Sequence, residues 1–140
     1  ASQAVENLRT DGARLRDAVT EVATDAGVAE HLRVLGRPSC LVFATADADG
    51  IPSQAYRTLF LQELLVRGVL GQSFVVSAAH TDADVDHTVD AVREAVLVYR
   101  KAIEAGTTDG LLRGRPVAPA LRRLAAPRRL PDLTQSHLAP

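Results

Sequence analysis

The residues best suited to chemistry in this 140-residue chain crowd into one stretch: Ser77, His80, Asp82, Asp84, Asp86 and His87. Carboxylates and imidazoles at such spacing are the raw material of metal sites and acid–base catalysis, and a serine three residues from a histidine raises nucleophilic hydrolysis. Each option makes a demand that the neighbours must meet. A calcium loop would use Asp82, Asp84 and Asp86 as its first ligands, but its sixth position is His87 where the sharp turn needs Gly, and its twelfth is Arg93 where a bidentate Glu is required. Zinc could draw on His80, Asp84 and His87 from one helical face. Acids in the first turns of a helix have a simpler cause, since they complement the positive end of its dipole. A hydrolytic triad built from Ser77, His80 and a nearby Asp lacks the glycines that expose a nucleophile on a tight elbow. The cluster is expected to be a helix entrance, with no catalytic residue and no metal ligand in it.

Chemistry elsewhere is sparse. Cys40 is the only cysteine, so no intrachain disulfide can form, which suits a reducing compartment. Its apolar strand context predicts a small buried hydrophobe rather than a nucleophile. "LLRGRPV" has too few glycines to cradle a phosphate. Arg113, Arg115, Arg122, Arg123, Arg128 and Arg129 follow one another with no acid between Asp109 and Asp132, yet no aromatic is interleaved for base stacking. Docking onto an acidic protein surface is expected in place of nucleic-acid binding. Overall, 46% hydrophobic and 24% charged residues with a net charge of −1 describe a globular protein with no bulk electrostatic preference. No apolar run is long enough for a membrane span and no leader pattern opens the chain, so a soluble, cytoplasmic protein is expected. Methionine is absent, which points to a trimmed initiator or a piece of a longer product.

The elements that must position these residues follow from periodicity. Val5, Leu8, Leu15, Val19 and Val22 recur at steps of three and four, with Gly12 in the remaining stripe position, predicting an amphipathic helix that ends near Gly27. Leu32 to Leu35, the turn Gly36-Arg37-Pro38 and "SCLVFATA" predict a hairpin, closed by the turn residues "DADGIP". Ser53 should cap a second helix carrying Ala55, Leu59, Leu61, Leu64 and Leu65, which runs to about Arg67 and stops at Gly68. "SFVVSA" (73–78) reads as a third strand. Thr81 and Asp84 then form a T-x-x-D capping box ahead of a stripe of Val85, Val89, Val92, Val96, Tyr99 and Ile103 that ends at Gly106. Residues 107–140 lose all periodicity and read as an arm.

"RTLFLQELLVRGVL", "SFVVSAAHTDADVDHTVDAVREAVLVYRKAIEAG" and "LLRGRPVAPALRR" together resemble the C-terminal part of class III, fold-type I aminotransferases that use pyridoxal phosphate, closest to the glutamate-1-semialdehyde aminomutase-like branch. The likeness falls on Gln62, Glu63, Arg67, Gly68, Ser77, His80, Thr81, Asp82, Asp84, Asp86 and Gly114 to Arg122. It covers residues 53–123, and more loosely the first helix and hairpin. In that family the cofactor's lysine, the acid facing its pyridinium nitrogen and the phosphate cup belong to the large domain, and an amino group is shuttled through a pyridoxamine form. Lys101, the one lysine among sixteen Lys and Arg residues, sits about 160° round its helix from the core stripe and should be in water, so it does not replace the family lysine. Many members carry a charged residue just before the third strand. Here that position reads Gln72-Ser73, which leaves a neutral carbonyl substrate such as a keto sugar open.

The resemblance implies an α+β fold, with a small, mostly antiparallel three- or four-stranded sheet packed against helices. Residues 1–30 would be a linker helix, 31–106 the small domain and 107–140 a Pro/Arg-rich arm. Gln72, Ser77 and His80 are the candidates to approach the substrate cleft. Pyridoxal phosphate would serve the full enzyme but is not expected on this chain alone, which would be inactive without its large domain or partner chain and would support a homodimer. The alternative is a self-standing interaction module of the same fold.

Overall fold

The computed structural model describes residues 3–118. In chain order these form α1 (Gln3–Asp25), β1 (Leu32–Arg37), β2 (Cys40–Thr45), α2 (Gln54–Val66) and α3 (Asp82–Ala105), an α+β arrangement as expected from the sequence. β1 and β2 pair antiparallel from Leu32 opposite Thr45 to Arg37 opposite Cys40. Strand alternation then decides which side chains meet the helices. Leu41, Phe43 and Thr45 are buried, while Leu35 and Val42, opposite one another, are exposed. This alternation corrects the expectation for Cys40: it lies on the outward face and is exposed.

The sheet has two strands among the described residues, not three or four. The third expected strand is reduced to a single antiparallel bridge, in which Leu41 N–H donates to the Phe74 carbonyl at 3.3 Å and Phe74 N–H to the Leu41 carbonyl at 2.9 Å. Both directions of extension are blocked. One way, the partner of Val76 would be Ser39, which lies in the hairpin turn between β1 and β2. The other way, Gln72 would face Phe43, but the Arg57 guanidinium takes both carbonyls, at 3.1 Å from Phe43 and 3.0 Å from Gln72, while lying 4.5 Å above the Phe43 ring centre. A side chain occupies the place of a main-chain ladder.

Helices cover one face of the hairpin. α1 packs against both strands, α2 against β2, and α3 against α1 and α2. α1 contributes Leu15, Val19, Val22 and Ala23 to the core, and Gly12 lets the hairpin turn approach so closely that a Cβ there would fall onto the Pro38 carbonyl. On α2 the buried residues are Tyr56, Leu59, Phe60, Glu63 and Leu64. The expected stripe had missed both aromatics and included Leu65, which is 60% exposed. The aromatics form the centre of the molecule: Phe43 meets Phe60 edge-on at 5.0 Å, Tyr56 meets Tyr99 at 5.5 Å, and Phe60 meets Tyr99 at 6.4 Å. The Tyr99 hydroxyl lies 3.0 Å from the His31 carbonyl and 2.7 Å from that of Ala46, so α3 holds the open end of the hairpin. Burial pushes the Tyr99 pKa up and keeps the hydroxyl a donor.

α3 begins and ends as its residues require. Thr81 caps its start, and Gly106 ends it in the left-handed conformation at φ +68°, where a side chain would be strained. Beyond it, Thr108 is buried and the chain runs back along α2. Gln62 donates to the Leu111 carbonyl at 3.0 Å and accepts from Arg113 N–H at 2.7 Å, while Val117 N–H reaches Thr58 Oγ1 at 2.8 Å. Of the arm's arginines, Arg113 and Arg115 are exposed; Arg122, Arg123, Arg128 and Arg129 lie outside the described residues. No helix among the described residues is long and apolar enough to cross a membrane.

Candidate functional site

Segment 70–81, between α2 and α3, carries all three cleft candidates. Its placement depends on few anchors: Arg57 on the Gln72 carbonyl, the bridge at Phe74, and a turn in which His80 N–H donates to the Ser77 carbonyl at 3.0 Å. Gln72 is exposed at the first anchor. Ser77 and His80 meet at the third. The His80 ring folds back so that Nδ1 accepts from Ser77 N–H at 2.9 Å, with Ser77 Oγ at the same distance. A backbone N–H can only donate, so His80 Nδ1 carries no proton and Nε2 is the N–H side of the neutral ring. That geometry does not activate Ser77, because the lone pair a base would need is already engaged by the backbone. It fixes an imidazole N–H donor beside the start of α3. His80 also borders a shallow cleft of about 100 Å³ with Leu15, Leu70, Val76, Asp84 and Val85. Gln72 and Ser77 do not line it, so the three candidates share a segment but not one cavity.

The acids that drew attention in the sequence are bound up in joints. Asp84 accepts from Thr81 N–H and Oγ1, both at 2.7 Å, and donates its own N–H to Thr81 Oγ1 at 3.4 Å. The backbone bond first, and the hydroxyl second, hold the Asp84 carboxyl below the usual carboxylate range. Asp82 pairs with Arg14 of α1 at 2.6 Å, and Asp86 with the other arm of the same guanidinium. His87 Nε2 donates to the Arg67 carbonyl at 3.0 Å, tying α3 to the end of α2. His80, Asp84 and His87 therefore each turn to a different partner, and no group of three His, Cys, Asp or Glu residues converges among the described residues.

A second cluster, on α2, falls in the stretch that resembles the aminotransferases and carries no local signal of its own. Glu63 is 8% exposed and pairs with Arg67 at 2.7 Å. Burial would raise its pKa, but hydrogen bonds from Gln62 and Arg67 outweigh that and leave the carboxyl lowered. Arg57, which sets the position of Gln72, gave no signal in the sequence: it is one arginine on a helix, and its two acceptors lie 14 and 15 residues away.

Compared with family models, curated proteins and solved structures, the chain matches none.

Proposed function

We propose that this chain is the small C-terminal domain of a class III, fold-type I pyridoxal phosphate aminotransferase of the glutamate-1-semialdehyde aminomutase-like branch. The observation that carries the reading is the one-sided sheet. Helices cover its inner face, and the outer face leaves Leu35 and Val42, opposite one another, 45% and 44% exposed. A domain built to sit against a larger neighbour has such a surface. The resembling residues support the same reading as structural ones: Gln62 ties α2 to the returning chain, the Arg67 carbonyl receives His87 of α3, Asp82 and Asp86 tie α3 to α1 through Arg14, and Thr81 with Asp84 caps α3.

The cofactor does not fit the residues described here. Lys101 is exposed on α3, away from the cleft candidates, and no phosphate cradle adjoins it. The amino-transfer chemistry is therefore assigned to a large domain, on the same reading frame or on a partner chain, and this chain closes one side of the substrate cleft within a homodimer. Gln72 puts a neutral side chain where many members of the family carry a charged one, which favours a neutral carbonyl acceptor. The unpaired Cys40 suits a cytoplasmic location.

The reading frame upstream of Ala1 is the decisive test, and a pyridoxal-binding domain with its lysine is expected there or in an adjacent gene. In parallel, the 140-residue chain mixed with pyridoxal phosphate and reduced with borohydride should carry no stoichiometric adduct. Turnover of an amine and a carbonyl compound by this chain, with the adduct on Lys101, would overturn the division of labour. A self-standing interaction module would use the same open face, and is the better description if no such domain is encoded nearby.

A further inference from the structure

We propose that the groove between α1 and α3 is a self-association surface for a second copy of this chain, paired about a two-fold axis parallel to the helices. The groove encloses about 340 Å³ and is lined by residues of α1 and α3 together with Ala26, just past the end of α1. Its floor is apolar, with Val22, Val89 and Val96, and Leu97 stands at its edge 48% exposed. Its rims carry opposite charge. Glu21 and Asp25 line the α1 side; Arg93 and Arg100 line the α3 side.

The direction of the two helices decides which symmetry brings unlike rims together. Arg14 meets Asp82 and Asp86 near the start of α3, whereas Thr24 to Val28 lie beside Arg100 to Glu104 near its end. The helices therefore run parallel. A two-fold axis across the groove would set acid on acid and base on base. An axis along it exchanges the rims while preserving height, so Glu21 of one copy faces Arg93 of the other, and Asp25 faces Arg100, each pair occurring twice. Glu21 and Asp25 have no salt bridge among the described residues. Arg93 and Arg100 pair only within their own helix, with Asp90 and Glu104, and all four of those side chains are more than half exposed. Such pairs hold little energy, so exchanging them for a partner across the groove costs little. The surface belongs to the helix layer, not to the open sheet face, and does not depend on the aminotransferase reading.

Sedimentation equilibrium of the 140-residue chain across micromolar to millimolar concentrations tests this. A reversible monomer–dimer equilibrium that weakens with added salt is expected. Arg93→Glu should weaken association by about tenfold or more, and Glu21→Arg combined with Arg93→Glu should recover most of the loss. Leu97→Asp should abolish dimerisation, with circular dichroism showing that the helices remain. A monomer at every concentration overturns the proposal, as does a dimer indifferent to Leu97→Asp or not restored by the double reversal; either result leaves the groove to a different partner.

Discussion

Thr81 and Asp84 each satisfy backbone groups that the first turn of α3 leaves without a helical partner. Because hydrogen bonds favour the charged form of Asp84, and those from Gln62 and Arg67 do the same for Glu63, both carboxyls titrate lower in the folded chain than in the unfolded one. A depressed folded pKa gives stability that is complete above the unfolded value of about 4 and is lost as pH falls through the folded value. Urea midpoints followed from neutral pH into the acid range should therefore drop. In a variant combining Asp84→Asn and Glu63→Gln that drop should be shallower, and an unaltered acid slope would remove both groups from the account. The capping box was readable in advance because its parts lie three residues apart. The partner of Asp82 was not, since Arg14 lies 68 residues earlier and one arginine on the polar side of an amphipathic helix looks like any other.

At the scale of elements, Gly12 sets two effects against each other. Alanine there would favour helix by about 1 kcal/mol. Its Cβ would also strike the Pro38 carbonyl, main chain that cannot swing aside as a flexible side chain would, and overpacking of that kind costs about 1–3 kcal/mol or more. Gly12→Ala should therefore lower the urea midpoint despite its better propensity; an increase would mean that the hairpin turn moves away freely. Periodicity had placed Gly12 in the buried stripe, but nothing local announces that a turn some 26 residues later will press on it. The hairpin and all three helices were legible because their patterns are local. Segment 73–78 has the residues of a strand but forms only one bridge, because β-forming residues say nothing of whether a partner strand continues beside them. On α2, leucines outweighed Tyr56 and Phe60 in the reading, although the aromatics bury more surface and form the core.

Across the molecule, Tyr99 connects layers distant in the chain: from the last third of α3 its hydroxyl contacts both sides of the hairpin's open end, at His31 and Ala46. Tyr99→Phe keeps the ring packing and removes only the donor, so a loss of about 1–3 kcal/mol is expected. Amide exchange should accelerate most at Ala46, whose N–H donates to the His31 carbonyl at 2.8 Å. Protection unchanged there would show that the aromatic packing alone holds the end closed. Tyr99 was legible as a core residue from its stripe, whereas its two acceptors depend on how the whole chain comes together. Arg57 has a wider consequence of the same kind. By holding the Phe43 and Gln72 carbonyls on one positively charged plane, it takes up hydrogen-bonding capacity at a sheet margin that would otherwise be a template for foreign β-strands. The short sheet is thus guarded on that side against edge-to-edge aggregation by one cation set beside the Leu41–Phe74 bridge.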